Sequence, residues 1–126
     1  MKFLVLNAGS GSQRCTLFDL PSPALPQEPL EPVGEVTLDT GDPDRPAGRI
    51  RVMLSAAGKK TEVAQLDETT LPEERTVALL KLLWSGPDAV IDDPGKIDAV
   101  GHRVVHGGDK FDSATLIDAS VEREIE

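Results

Sequence analysis

The chain has 126 residues and a formal charge of −9 at pH 7, with a pI near 4.6. This length is sufficient for a single domain with one modest hydrophobic core. The acidic balance argues against a nucleic-acid surface or an anionic-membrane surface, because both need clustered Lys and Arg. A local basic pocket remains compatible with the overall charge.

Cys15 is the only cysteine, which excludes an intrachain disulfide and a cysteine-based zinc cluster. We expect a small buried side chain in a strand at this position rather than a catalytic thiol. The apolar run at residues 2–6 is too short for a secretory signal, and no stretch approaches the ~20 apolar residues of a membrane span. The sequence therefore predicts a cytoplasmic protein without membrane contact.

The opening segment predicts a β-hairpin with a polar turn. An apolar strand at residues 2–6 stops at Asn-Ala-Gly-Ser-Gly-Ser, residues 7–12, and strand-like residues resume at 15–19. Glycines let a backbone approach a ligand closely, and converging N–H groups and hydroxyls form a nest for anions such as phosphate, beside which Arg14 adds a cation. The alternative that this turn binds nothing stays open. The segment is neither a Walker loop nor a Rossmann fingerprint, since strand rather than helix follows it.

The middle of the chain is rich in proline, with seven of the ten prolines in residues 20–48. Residues 21–32 are expected to form an extended surface loop, followed by one strand at 33–38. A proline-motif ligand at residues 26–29 is disfavoured because no arginine flanks it. Alternating apolar residues then predict a second hairpin over residues 49–66.

A helix is predicted to begin near Thr70. Thr70 is the expected N-cap, Pro72 lies in the first turn, and Glu73 is expected to reach back as in a capping box. Gly86, followed by proline, ends the helix. Its predicted apolar face, with Trp84 as a core anchor, consists of Val77, Leu79, Leu80, Leu83 and Trp84.

The last third of the chain predicts two short strands and a helix. The strands are expected at residues 96–101 and 114–117, and Asp118 is the expected N-cap of the helix. That helix is cut off at Glu126 after a length that is marginal for an isolated helix. We therefore expect the chain to be incomplete at its C-terminus.

Both histidines, His102 and His106, flank Arg103. On a strand over residues 98–104, His102 and Val104 would point one way, and Arg103 and Val105 the other. A guanidinium beside a valine suits a small carboxylate with a short hydrocarbon tail. A structural ion pair of Arg103 is the open alternative. A metal site at the two histidines is disfavoured, because ligands four residues apart need a helix.

Two stretches together closely resemble the signature segments of the acetate kinase family. They are residues 5–12, Val-Leu-Asn-Ala-Gly-Ser-Gly-Ser, and residues 99–108, Ala-Val-Gly-His-Arg-Val-Val-His-Gly-Gly. Two positions depart from the family pattern: Gly11 stands where a hydroxyl residue is usual, and Arg14 where a lysine is usual, which keeps the charge but changes the donor geometry. The resemblance covers the first strand pair and residues 97–125, but not the proline-rich middle.

The resemblance implies an α/β fold of the sugar kinase/Hsc70/actin superfamily, in which two ribonuclease-H-like (actin-like ATPase) domains hold the nucleotide between them. Residues 1–126 would be the N-terminal domain, a mixed sheet of hairpins with flanking helices that is incomplete at its C-terminus. Residues 20–48 would be a proline-rich insertion. Members of the family are typically homodimers.

The implied reaction is reversible phosphoryl transfer from ATP to acetate, giving acetyl phosphate and ADP, with Mg²⁺. The catalytic residues would be Arg103 and Asn7. By the same analogy, the phosphate groups would meet Asn7, Ser10, Ser12 and Arg14. The carboxylate would meet Arg103, the methyl group would meet Val105, and Mg²⁺ would meet Asn7. The chain alone is expected to be inactive, because the family's catalytic histidines, second arginine and adenosine pocket lie further along a longer chain.

Two alternatives remain open. A propionate or butyrate kinase would differ in pocket volume, and a pocket discriminates one methylene by only ~1–3 kcal/mol, so Val105 alone does not decide the acyl chain. A non-catalytic, degenerate kinase module receives slight support from Gly11 and the proline-rich stretch. The retention of Asn7, Ser10, Ser12 and Arg103 argues against it.

Overall fold

A computed structural model describes residues 1–9, 11–21, 26–39, 49–103 and 109–125. The strands are β1 Lys2–Ala8, β2 Ser12–Asp19, β3 Gly34–Asp39, β4 Arg49–Ala56, β5 Lys59–Asp67 and β6 Ala99–Arg103, and the helices are α1 Pro72–Trp84 and α2 Ala119–Ile125. Both predicted hairpins are confirmed, as is the strand that follows the proline-rich loop. The described part of that loop, residues 21 and 26–32, has no regular structure, as predicted. The rest of it lies outside the described residues.

All six strands form one mixed sheet in the order β5-β4-β3-β2-β1-β6. Neighbours along the chain pair antiparallel, whereas β6 pairs parallel to β1. A parallel pair needs a long crossover connection, and α1 lies within the one between β5 and β6. The predicted α/β architecture, a mixed sheet with flanking helices, is confirmed.

The hydrophobic core lies between α1 and one face of the sheet. Period-two alternation places every second side chain of a strand on this face. The buried side chains are Leu4, Cys15, Leu17, Val36, Leu38, Ile50, Val52 and Leu54 from the sheet, Leu79 and Leu83 from α1, and Ile91 after it. The opposite face of the sheet, here called the open face, carries the polar residues of the same strands.

Cys15 is 2% exposed within this core, which confirms the apolar role predicted for it. Burial disfavours the thiolate and raises the pKa of the Cys15 thiol to about 11. The side chain is therefore a protonated thiol at neutral pH, the opposite of what a nucleophilic cysteine needs.

The start of α1 differs from the prediction by one residue. The N-cap is Leu71, whose backbone N–H donates to Glu74 Oε2 at 3.3 Å, so Glu74 rather than Glu73 reaches back. Thr70 instead belongs to a turn in which its N–H donates to the carbonyl of Asp67 at 3.1 Å.

Two of the predicted helix features are corrected or refined. Val77, expected on the apolar face, is 49% exposed, whereas Leu79 and Leu83 are buried. Trp84 is partly buried and packs against the core. The helix ends as predicted, with Gly86 at a φ of +96°, a conformation that favours glycine.

Near the C-terminus the structure corrects one strand and shortens another. The strand predicted at 96–101 begins only at Ala99, after a 3₁₀ turn at Pro94–Lys96. Residues 114–117 form no strand, and Leu116 is 90% exposed, because they pair with no described strand edge. Asp118 caps α2 as predicted: its Oδ1 accepts from Val121 N at 2.9 Å and Ser120 N at 2.8 Å, and these bonds lower its pKa.

Among the described residues, no helix has the length and apolar character to cross a membrane.

Candidate phosphate and carboxylate site

Three neighbouring strands bring Arg14, Asn7 and Arg103 into one row across the sheet. In β1, Asn7 lies directly opposite Arg14 of β2 and, on its other side, directly opposite Arg103 of β6. Residues that stand opposite each other in paired strands project to the same face of a sheet. Because Leu4 and Cys15 occupy the core face, the Arg14–Asn7–Arg103 row lies on the open face. Two cations thus flank one amide at the end of β1.

The turn between β1 and β2 is closed by a hydrogen bond from Gly9 N to Ser12 O at 2.8 Å. The Gly9 N–H is therefore used within the turn and does not join an anion nest. Gly9 does not adopt a left-handed conformation, and a Cβ built there would meet no described atom closer than Ser12 O at 3.5 Å. The described residues around Gly9 therefore do not themselves demand glycine at this position.

Ser12, the first residue of β2, is exposed. Two residues before Arg14, it lies on the same face of the sheet. Ser10, predicted beside it, lies outside the described residues, as does Val105. The structure therefore brings Asn7, Ser12, Arg14 and Arg103 to one side of the sheet. The roles of these four residues stay predictions, as do those of Ser10 and Val105.

Arg14 has an acidic neighbour on the open face. Its Nε lies 3.7 Å from Glu35 Oε2, and the same oxygen accepts a hydrogen bond from Thr16 Oγ1 at 3.0 Å. The side chain of Arg14 is 58% exposed and that of Glu35 is 23% exposed. The guanidinium thus has a fixed partner on one side and solvent on the other.

Arg103 is exposed and forms no ion pair with any residue that the structure describes. The alternative of a structural ion pair therefore has no support in this part of the chain. His102, opposite Leu6, lies toward the core face and lines a cavity of about 40 Å³ together with Thr76 and Leu79. His102 and Arg103 point to opposite faces, as predicted. His106 lies outside the described residues.

Beyond Arg103 lies a groove of about 540 Å³ that the sequence reasoning did not anticipate. Arg103 and His102 form one side, and the apolar part of the lining comes from Phe111, Ala114, Ile117, Val121 and Ile125. The spacing of Val121 and Ile125 by four residues is a signal in the sequence for this wall, since it marks one side of α2. An apolar surface beside a guanidinium suits a carboxylate that carries hydrocarbon.

A second concavity, of about 460 Å³, lies on the open face at the other end of the row. Its lining includes Ser12, Arg14 and Glu35, with Arg51 and Lys60 from the second hairpin. Arg51 alternates with the buried Ile50 and Val52 along β4, which places it on the open face, but nothing local in the sequence connects it with Arg14. Cations from both hairpins thus line one surface.

Comparison with known proteins identifies the family. The sequence profile described as the Acetokinase family matches residues 2–126. The acetate kinase of Gloeobacter violaceus is 42% identical over 130 residues, which cover 100% of this chain and 30% of the relative. The acetate kinase of Acaryochloris marina is 38% identical over 128 residues, which cover 99% of this chain and 30% of the relative.

Solved structures agree with this family assignment. The acetate kinase of Porphyromonas gingivalis superposes with a TM-score of 0.71 at 28% identity, over 98% of this chain and 28% of that one. The acetate kinase of Entamoeba histolytica, at 20% identity and a TM-score of 0.57 over 98% of this chain and 25% of that one, supports the fold alone. The chain spans about 30% of the length of the curated relatives it matches. The resemblance predicted from the two signature segments is confirmed: this chain belongs to the acetokinase family.

Proposed function

We propose that this chain supplies the phosphate-binding and carboxylate-binding part of an acetate kinase, which transfers a phosphoryl group reversibly between ATP and acetate. The observation that carries the proposal is the Arg14–Asn7–Arg103 row. Phosphoryl transfer spreads negative charge over three equatorial oxygens, so its catalysis is mainly alignment and cationic stabilisation. Two guanidinium groups on either side of an amide donor suit that task.

At one end of the row, Arg14 and Asn7 would bind the phosphate chain, with Ser12 and Ser10 as further donors. The exposed Ser12 on the face of Arg14 supports this assignment. Gly9 is consistent with the assignment. The described fold would accept a Cβ at this position, because its nearest described contact is Ser12 O at 3.5 Å. We propose that glycine is present because a bound phosphate needs the space that a side chain would fill. Hydrogen bonds from charged donors to phosphate oxygens are the strong ones, which favours arginine in this place.

At the other end, Arg103 would hold acetate, and Val105 would contact its methyl group. In the forward reaction one acetate oxygen attacks the γ-phosphorus and forms the new P–O bond. The bond from that phosphorus to the bridging oxygen breaks, and ADP leaves with the electron pair. Arg103 orients the attacking carboxylate and then neutralises the charge that moves onto the transferred group.

Mg²⁺ is the cofactor expected with ATP, and Asn7 is the candidate contact for it. The residues that the structure describes include no group of three or more His, Cys, Asp or Glu that could hold a metal ion. Asn7 also stands between two guanidinium groups. This environment does not fit a metal ion held by these residues alone. Mg²⁺ commonly binds through substrate phosphates and one or two carboxylates.

The remaining features of the proposal concern the whole protein. Because this chain spans about 30% of its relatives, we expect the 126-residue chain alone to be inactive. We further propose that the complete enzyme is a cytoplasmic homodimer.

The test is acetyl phosphate formation by the full-length product of the gene that encodes this chain. The assay would trap acetyl phosphate with hydroxylamine and measure ADP in parallel, with acetate, propionate and butyrate as substrates. We expect ADP release that depends on acetate, at the highest kcat/KM of the three. Preference for a longer acyl chain would redirect the proposal to propionate or butyrate kinase. No carboxylate-dependent ADP release by the full-length product would overturn the kinase proposal.

A further inference from the structure

We propose that Glu35 is a positioning residue for the transferring phosphate, acting through Arg14. The inference rests on the proposed function and adds to it a residue from outside both signature segments. Glu35 lies in β3, on the open face, between the proline-rich stretch and the second hairpin. Its role follows from two contacts that link the buried Thr16 hydroxyl, through Glu35, to the Arg14 guanidinium.

Strand register places Glu35 where it reaches Arg14. Thr16 of β2 lies directly opposite Glu35 of β3, and Arg14 lies two residues along β2, opposite Thr37. Glu35 and Arg14 are therefore diagonal neighbours on one face, a distance that long side chains span. The observed contacts agree: Thr16 Oγ1 donates to Glu35 Oε2 at 3.0 Å, and Arg14 Nε lies 3.7 Å from that same oxygen.

Burial decreases along this chain of contacts, from the anchor to the site. Thr16 is 7% exposed, and the side chains of Glu35 and Arg14 are 23% and 58% exposed. A buried hydroxyl therefore fixes one carboxylate oxygen, and that oxygen in turn restrains the guanidinium near its Nε. An arginine presents five donors in a rigid fork, so pairing at Nε leaves the terminal nitrogens for an anion. The ion pair reduces the freedom that Arg14 must lose when phosphate binds.

This arrangement works with arginine and not with lysine. The ammonium of a lysine is a single point charge, which would face either Glu35 or the phosphate. The guanidinium can serve both at once. Glu35 is thus expected to matter when residue 14 is arginine and to lose its influence when residue 14 is lysine.

A carboxylate near a phosphate site also has a second interpretation, in which its removal would improve ATP binding instead of impairing catalysis. If Glu35 only neutralised Arg14, its removal would strengthen the attraction between Arg14 and phosphate, and the KM for ATP would fall. If Glu35 orients Arg14, its removal lowers kcat, because the guanidinium is no longer held in the geometry that the transition state needs. The two readings are distinguished by the direction of the change.

The experiment compares Glu35→Gln with unmodified enzyme in the full-length gene product, in the Arg14 and Arg14→Lys backgrounds. Glu62→Gln is the matched control, since Glu62 pairs opposite Met53 on the open face and hydrogen-bonds Gln65 instead. We expect Glu35→Gln to lower kcat by about three- to tenfold with Arg14 present, and to have little further effect with Lys at position 14. Glu62→Gln is expected to leave kcat unchanged.

Thr16→Val is the second variant, because it keeps the shape of the side chain and removes only the hydroxyl. It should lower kcat in the same direction by a smaller factor. An equal loss from Glu35→Gln in both backgrounds, a fall in the KM for ATP, or an unchanged kcat would each overturn the positioning role.

An NMR measurement on the 126-residue chain tests the same contact without catalysis. The Arg14 Nε–H signal should report greater side-chain mobility in Glu35→Gln than in the unmodified chain. The same signal should stay unchanged in Glu62→Gln. An Arg14 signal that does not respond to Glu35→Gln would overturn the proposal. Failure of the proposed function is distinguishable, since it would show as absent activity in the unmodified full-length protein, whereas failure of the Glu35 role leaves that activity intact.

Discussion

Gly34 of β3 lies directly against the side chain of Val90, so that a Cβ added to it would come within 2.7 Å of Val90 Cγ1 and 2.8 Å of Cγ2. Val90 belongs to the segment that follows α1, and its N–H donates to the carbonyl of Leu83 at 2.9 Å. The absence of a side chain at residue 34 therefore lets the chain beyond α1 close onto the sheet. Neighbouring Ile91 enters the core at this point.

Gly34→Ala is expected to lower the free energy of unfolding by about 1–3 kcal/mol, the usual cost of forcing extra volume into a packed core. Urea denaturation followed by circular dichroism measures it. Val90→Ala on top of Gly34→Ala removes the clashing methyl groups, and the double variant should lose less than the sum of the two single variants. Additive losses would show that the two side chains do not compete for the same space.

Gly9→Ala separates stability from function. Because Gly9 is not left-handed and an added Cβ has ordinary contact distances, we expect an unfolding free energy within about 1 kcal/mol of the unmodified chain. In the full-length product the methyl group would displace the phosphate, and kcat should fall by about tenfold or more. Normal turnover in a stable Gly9→Ala protein would contradict a close approach of phosphate to this turn.

Arg103→Ala should abolish most of the activity while leaving the fold intact. The side chain is exposed and pairs with no described residue, so little stability depends on it. Loss of one charged group at the transferring phosphoryl typically costs about 10²- to 10³-fold or more in kcat. The steady-state assay would include Arg123→Ala, an exposed arginine of α2 outside both grooves, as the matched control. Near-normal turnover of Arg103→Ala would contradict the assigned role.

Cys15 makes stability depend on alkaline pH. Burial raises its folded-state pKa to about 11, whereas an unfolded thiol ionises near ~8.5. Between these values the unfolded chain releases a proton that the folded chain keeps, so the free energy of unfolding falls as the pH rises. The loss attributable to Cys15 should reach about 2–3 kcal/mol by pH 11.

The measurement for Cys15 is a series of urea denaturation curves between pH 8 and pH 11, compared with Cys15→Val. The valine variant has no thiol to ionise and keeps all other titratable groups. The difference in the pH dependence of the unfolding free energy between the two proteins therefore measures the contribution of the Cys15 thiol. Parallel curves for the two proteins would contradict the raised pKa.

Local pattern was sufficient for most of the elements. An apolar run followed by a polar turn predicted the first hairpin. Alternation predicted the second, because a strand with one buried face carries its period in neighbouring residues. Predictions from the local pattern were wrong where an interaction with another part of the chain decides the structure. Asp67 draws Thr70 into a turn and delays α1, and residues 114–117 have strand-like composition but no described strand to pair with. Val77 is exposed because α1 packs against the sheet through Leu79 and Leu83.

For the site, the sequence predicted the residues and partly their directions. The opposite orientation of His102 and Arg103 followed from the two-residue period of a strand. The sequence did not predict the groove wall from α2 or the contact of Glu35 with Arg14, since each joins segments that are separated along the chain. The roles of all the candidate site residues, and the assignment of residues 1–126 as one incomplete N-terminal domain, stay predictions.

The amino-acid sequence by itself determined most of the strands and helices, the alternation of side chains between the two faces of each strand, and membership of the acetokinase family through two short segments. Only the tertiary structure decided which residues meet. Parallel pairing of β6 with β1 is held by Lys2 N donating to Asp98 Oδ2 at 2.7 Å and Asp98 N donating to Lys2 O at 2.9 Å. That register sets Arg103 beside Asn7. The sequence alone does not predict it, because the pairing of a strand depends on hydrogen bonds to a distant segment, and no local period encodes those bonds.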